Sequence, residues 1–298
     1  MTKTWGRQVN EPLRDAYLTR LGLRTPPPAT LDTLFELHRL QVERVPYETV
    51  WIALGEQRTV EPLDSLRYLL RGRGGYCYHL NGAFSTLLDW LGFDVHWRVG
   101  GVQGAVGDAP GASANHLVIE VQGLDGGPWM VDAGLGDGLH EPIPLVEGVY
   151  EQAPYTFALR PSEVVPGGWR LDHDGRGSFL GMDFAPAQAK VEDFLAKHDH
   201  LCTSPESGFV RVVTVSNRDA KTIRELRGRL YKETTATGVT HTTIDDRADY
   251  FGLLGNVFGL SLPEIGADRR DVLWSRLCVD HEQYLAGKAA HRRAATAD

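Results

Sequence analysis

A chain of 298 residues with 42% hydrophobic and 23% charged side chains is long enough to bury a core, and its composition excludes a disordered protein. Its 31 basic and 39 acidic residues leave a formal charge of -8, which repels phosphate backbones and excludes nucleic acid as the expected partner. No stretch approaches the roughly 18 apolar residues of a membrane span, and Met1–Arg7 lacks a signal-peptide core, so a cytoplasmic protein with no membrane partner is expected.

The first third reads helical. After the Pro26–Pro28 break, Leu34, Leu37 and Leu40 follow helical spacing until Pro46 stops the helix, and a second short helix runs from Pro62 through Leu66, Leu69 and Leu70. Arg71–Gly75 interrupts it. From Tyr76 onward Leu80, Ala83, Phe84, Leu87, Leu88 and Leu91 form the apolar stripe of a core-packed helix closed by Gly92, which places Cys77 at its N-terminal end.

The period then changes to two, with Phe93, Val95, Trp97 and Val99 alternating with polar residues as in a half-buried strand. Residues 116–121 and 129–133 are strand-like and flank the turn-rich segment 123–128, so a hairpin is expected. Further β segments are expected around Tyr155–Leu159, Trp169–Asp172 and Phe209–Val215, together forming a closed or strongly curled antiparallel sheet. Beyond residue 216 the pattern predicts a helix over Ala220–Leu230, a strand near Val239–Ile244, helices over Asp246–Phe258 and Asp268–Leu285, and a frayed tail after Gly287.

Three cysteines at 77, 202 and 278 are too few and too far apart for a disulfide framework, and no Cys-x-x-Cys or His-Glu-x-x-His spacing supports a metal site. His198-Asp199-His200 reads as a solvated loop, and Cys202 and Cys278 as core-side thiols. Cys77 is different. The positive end of a helix and a neighbouring imidazolium both favour the thiolate form of a cysteine, and Gly74 and Gly75 permit backbone angles that would aim amides at the same point as an oxyanion hole.

A lone cysteine there would read equally well as a buried structural thiol, but the hairpin supplies partners. His116 and Asp132 lie near-symmetrically about its turn, so they should be cross-strand neighbours within a register slip of two. Taken singly, His116 is an ordinary edge-strand histidine and Asp132 a turn residue bonding the Gly134 amide. With Cys77 they make a nucleophile, a base and its orienter. His79 should point away from Cys77, and His38, His96 and His140 show no acid at a comparable spacing.

The run Arg73-Gly-Gly-Tyr-Cys77-Tyr-His-Leu-Asn81, then Asn115-His116-Leu-Val and Val131-Asp132-Ala-Gly134-Leu-Gly136, resembles the arylamine N-acetyltransferase family in order and spacing. The resemblance extends to Val45-Pro46-Tyr47-Glu48 and to Thr203–Arg211, covering most of residues 35–260. It implies an α+β fold with a cysteine-protease-like catalytic core: a helical bundle over 1–92 carrying the nucleophile, an antiparallel β-barrel over 93–215 carrying histidine and aspartate, and an α/β lid over 216–298 with a frayed tail.

It also implies that Cys77 is acylated by acetyl-CoA or another acyl-CoA and passes the group to a small-molecule amine by a ping-pong route, with His116 as base and acid and Asp132 as orienter. No tightly bound cofactor or metal is implied. Arg73 would brace Glu48, and Tyr47, Trp97, Gly134, Leu135, Gly136 and Phe209 would contact substrate or co-substrate.

The sequence departs from the family around the pocket. Tyr78-His79 stands where Phe-Glu is common, Leu135 where an aromatic is common, and Tyr47 in place of Phe, so the walls that would stack a planar arylamine are altered and the acceptor stays unassigned. Three other readings remain at this stage. The first is an amide synthase of the same fold drawing a longer acyl chain from a carrier protein. The second is a thiol protease or transglutaminase, and the third an inactive binding module.

Overall fold

The computed structural model describes residues 8–295. Its N-terminal part is helical: α1 (Glu11–Arg20), α2 (Leu31–Arg44), the two-residue strand β1 (Tyr47–Glu48), α3 (Val50–Ala53), α4 (Pro62–Leu70) and α5 (Cys77–Trp90). The Thr30 side chain caps α2 by accepting the Thr33 amide, and the helix stops at Arg44, two residues before Pro46. Helix α1 lies outside the expected elements. The α5 stripe turns out not to be one-sided, because every residue of that helix except Asp89 is buried. The helix threads the core between α4 and the sheet that follows, so the position of Cys77 is fixed by packing on all sides.

That sheet has eight antiparallel strands in the order β5-β4-β3-β2-β9-β8-β7-β6. They are β2 (Asp94–Gln103), β3 (His116–Gln122), β4 (Trp129–Val131), β5 (Ile143–Pro144), β6 (Gly148–Gln152), β7 (Tyr155–Pro161), β8 (Trp169–Asp172) and β9 (Gly181–Gln188). Its edge strands β5 and β6 are consecutive in the chain and joined by residues 145–147, and the sheet curls into a nearly closed barrel. The interior is filled by alternating residues such as Val118, Met130, Phe157, Leu171 and Met182.

The C-terminal part differs from expectation in three places. Phe209 lies in a short helix, α7 (Gly208–Arg211), which follows α6 (Glu192–Thr203). The helix expected over Ala220–Leu230 is instead β11 (Thr222–Arg227), hydrogen-bonded on one side to β10 (Thr214–Arg218) and on the other to β12 (Leu230–Thr235). Arg, Glu and Leu favour a helix locally, but two-sided pairing with Ile223 and Leu226 buried outweighs that preference.

With β13 (Gly238–Thr243) these strands form a sheet of order β1-β10-β11-β12-β13, so the two residues Tyr47 and Glu48 are its first strand. Helix α8 (Arg247–Asn256) is capped by Asp246, and α9 (Ala267–Ala295) continues past Gly287, where fraying was expected. The α+β architecture of helices, antiparallel barrel and C-terminal α/β layer is therefore as expected.

Candidate active site

The loop before Cys77 is seated on β1. Gly75 bridges to Tyr47, and its carbonyl accepts the Glu48 amide at 2.9 Å. A Cβ on Gly74 would stand 1.9 Å from the Pro46 carbonyl oxygen, so close approach excludes any larger residue. Neither glycine has a positive φ, so the unusual backbone angles expected of them are not used; their contribution is contact.

Beneath the loop, the fully buried Glu48 carboxylate lies 3.3 Å from both Arg73 Nη2 and Arg58 Nη1. Glu56 reaches both guanidinium groups at 2.9 Å, and Glu264 reaches Arg73 at 2.8 Å. Arg58 also donates to the Gly74 carbonyl at 3.0 Å. The expected Arg73–Glu48 pair is thus one edge of a five-residue cluster, and Arg58, which no local pattern marks, adds a side-chain bond to the loop before Cys77. Removing a buried counter-charge strands its partners. Glu48→Gln should therefore cost about 3 kcal/mol of stability, seen as a lower midpoint in thermal unfolding; an unchanged midpoint would show that Glu56 and Glu264 suffice.

His116 opens β3, and its Nε2 lies 2.7 Å from Asp132 Oδ2, both side chains being buried. The last register pairs are Ile119 with Val131 and Glu120 with Met130, so Asp132 falls beside Val118 rather than His116. The two meet diagonally, one register step of two from the expected position. Nε2 is engaged by Asp132, which leaves Nδ1 as the free ring nitrogen, and Cys77 lines the same cleft as His116. The sulfur also lies 3.6 Å from the Asn115 carbonyl.

Two residues that sequence reasoning left without a role hold this arrangement. Asn81, one turn along α5 from Cys77, donates to Asp132 Oδ1 at 2.8 Å and to the Leu117 carbonyl at 2.7 Å, and accepts the Ala133 amide at 3.0 Å. It ties helix α5 to both hairpin strands, and it stands inside the quoted motif. His38 accepts the Asp132 amide on Nε2 at 3.3 Å and gives its Nδ1 proton to the His140 carbonyl at 2.9 Å. Burial holds His38 down at about 4, so it is a neutral ring in one tautomer.

The electrostatics of His116 are the opposite. Burial opposes its charged form, but the Asp132 carboxylate and the Cys77 sulfur outweigh burial and push it up to about 10. A raised histidine binds its proton more tightly folded than unfolded. Its stabilisation is complete below the ordinary value of about 6.5 and is lost as pH rises through about 10. Over that window wild-type stability should fall by up to about 1.4 kcal/mol per pH unit from this group, while His116→Gln should show a flatter slope in the same denaturant titrations. Parallel slopes would refute the shift.

A cleft of about 340 Å³ lies at Cys77 and His116 and is lined also by Tyr47, Gly134, Leu135, Gly136, Phe209, Asp137, Ser178 and Glu225. Gly134 packs so closely that a Cβ would lie 2.8 Å from Cys77 Cα. Gly136 has φ +76°, and a Cβ there would meet Ser216 Oγ at 2.8 Å. Trp97 does not line the cleft. Strand alternation turns it into the core, where its indole donates to Ser85 Oγ at 2.9 Å and its ring packs edge-on to Phe194.

The other histidines and cysteines lie away from the sulfur. His79 is enclosed by Trp51, Tyr68, Tyr76 and His198. His96 and His140 do have carboxylate partners, Asp94 at 3.4 Å and Glu43 at 2.8 Å, but neither pair borders the cleft. His198 is not in a free loop; it contacts the Arg58 carbonyl at 2.7 Å. Cys202 and Cys278 are half-buried rather than in the core.

An N-acetyltransferase family model matches residues 30–266. The arylamine N-acetyltransferase of Mycolicibacterium smegmatis is 29% identical over 266 residues, covering 86% of this chain and 94% of that protein. Proansamycin X synthase of Amycolatopsis mediterranei is 32% identical over 167 residues, 54% of this chain and 62% of that protein. Among solved structures, the Mycobacterium marinum arylamine N-acetyltransferase in complex with CoA superposes with a TM-score of 0.78 at 26% identity, covering 88% of this chain and 97% of that one.

Proposed function

Since this chain belongs to the arylamine N-acetyltransferase family, we propose that it moves an acyl group from acyl-CoA onto Cys77 and then to a small-molecule amine, each substrate using the cleft in turn. The observation that carries this reading is that Cys77 shares the wall of one cleft with an imidazole whose Nε2 is held by Asp132.

His116, held in its charged form by Asp132 and the Cys77 sulfur, already carries the thiol proton on Nδ1, and the sulfur attacks the thioester carbonyl carbon. The bond to the CoA sulfur breaks as that sulfur takes the proton from the imidazolium, leaving a Cys77 thioester. In the second half the amine nitrogen attacks the same carbon, His116 takes the amine proton, and the proton passes to Cys77 Sγ as the amide leaves. Asp132 keeps Nδ1 open for this traffic by fixing the proton on Nε2.

Tyr47, Leu135 and Phe209 form walls of the cleft, and the bare backbone at Gly134 and Gly136 lets a thioester approach. A volume of about 340 Å³ lies at the low end for ligand pockets, which supports a short acyl group such as acetyl. The division into a nucleophile-bearing bundle (1–92), a barrel bearing His116 and Asp132 (93–215) and a lid (216–298) is proposed as the functional layout. Among the described residues no helix is long and apolar enough to cross a membrane, and we place the reaction in the cytoplasm.

The similarity to proansamycin X synthase favours a second reading, in which a longer acyl chain arrives on a carrier protein and leaves as an amide. Intact-mass measurement separates the two. Incubation with acetyl-CoA should add one acetyl group to the protein, located on Cys77 by peptide mapping; acylation from an acyl-carrier protein alone would establish the second reading, and acylation from neither would sink both.

A further inference from the structure

A second groove, of about 670 Å³, lies where three segments meet: residues 56–58, residues 71–73 of the loop leading to Cys77, and residues 263–269 at the start of α9. It shares no lining residue with the cleft at Cys77. Arg58, Arg71, Arg73 and Arg269 line it, against the carboxylates of Glu56 and Glu264. With the buried Glu48 beneath, four positive charges face three negative ones, so one positive charge is left over in a chain that is -8 overall.

The surplus sits on particular groups. Arg58 is engaged by Glu48, Glu56 and the Gly74 carbonyl, and its guanidinium lies over the Tyr68 ring at 4.9 Å. Arg73 gives two of its nitrogens to three carboxylates, but its Nε is buried with no partner among the described residues. A buried donor without an acceptor is destabilising until something fills the place. Arg71 is exposed and makes no hydrogen bond or ion pair among the described residues, while Arg269, also exposed, gives only Nη2 to the Leu54 carbonyl at 3.0 Å. Tyr68, Pro263 and Ile265 add an apolar side to the same groove.

We infer that this groove is a binding site for a small organic carboxylate, held by Arg71, Arg73 and Arg269 with its apolar body against Tyr68, Pro263 and Ile265. One surplus charge matches a monoanion better than a phosphate dianion, a guanidinium fork takes a carboxylate on two donors, and the volume is that of a small-molecule site. An occupant joins the three segments, one of which leads into Cys77, without entering the cleft. The inference goes beyond the acyl-transfer reading and does not depend on it.

Benzoate, a carboxylate on an apolar ring, is the probe. Calorimetric titration of the full chain should show benzoate binding, with acetate, which lacks the ring, about tenfold weaker. Arg71→Gln and Arg269→Gln should each reduce benzoate affinity by about tenfold, with Arg71→Lys restoring part of it, and all three should keep the wild-type melting midpoint in the absence of benzoate. Binding should persist after Cys77 has been alkylated with iodoacetamide, because the groove and the cleft are separate cavities; loss of binding on alkylation would place benzoate in the cleft and overturn the assignment. Absence of binding to wild type, unchanged affinity in both Gln variants, or inorganic phosphate binding more tightly than benzoate would overturn it as well. None of these measurements uses a thioester, so the groove can fail with acyl transfer intact, and acyl transfer can fail with the groove intact.

Discussion

Cys77→Ala should reduce acyl transfer by about five to six orders of magnitude, effectively to background, and remove the acyl adduct seen by mass. Every step proposed for the reaction passes through Sγ, and the only other cysteines, Cys202 and Cys278, lie outside the cleft. The fold should survive. Cys77 is 3% exposed on a helix fixed by its other residues, so the lost sulfur should change stability by about 1 kcal/mol. Cys77→Ser should be inactive as well, because the hydroxyl is a far weaker nucleophile than a thiolate. Turnover by Cys77→Ala above background would refute the covalent route.

Asp132→Asn should lower kcat/KM by about three to four orders of magnitude, for a reason the hydrogen bonds make explicit. Asp132 Oδ1 accepts two donors, Asn81 Nδ2 at 2.8 Å and the Gly134 amide at 2.9 Å, while Oδ2 faces His116 Nε2 at 2.7 Å. An asparagine must turn its oxygen toward the two donors, which leaves its NH2 facing His116. The ring then has to carry its proton on Nδ1, the nitrogen that should receive the thiol proton. Loss of activity should therefore be accompanied by slower alkylation of Cys77 by iodoacetamide at neutral pH, with little change in fold. A near-normal rate would remove Asp132 from the mechanism.

Much of this was legible in the sequence because the relevant residues sit in strong periodic signals. The stripe from Leu80 to Leu91 located helix α5 and put Cys77 at its start, and the turn-rich segment between residues 116–121 and 129–133 brought His116 near Asp132. What remained hidden depends on contacts far apart in the chain. Arg58 meets Glu48 10 residues away, Asn81 meets Asp132 51 away and His38 meets the Asp132 amide 94 away, and no local pattern encodes those distances.

The segment 222–227 was read as helical because its composition is helix-forming; only strand neighbours on both sides reveal it as β. The buried carboxylate of Glu225, matched by Lys232 at 2.6 Å, belongs to that same cross-strand pairing. Trp97, a pocket residue by resemblance, is turned inward toward Ser85 by its own alternation along β2.

The two-residue strand β1 carries a consequence for how the molecule is made. Tyr47 walls the cleft and Glu48 anchors the loop before Cys77, yet their strand partner is β10, and Thr49 bonds Thr214 across 165 residues of chain. During vectorial synthesis the sulfur and its histidine emerge from the ribosome well before the strand that completes their surroundings. A nascent chain halted short of residue 214 should therefore contain Cys77, His116 and Asp132 and still lack the strand that pairs with Tyr47 and Glu48.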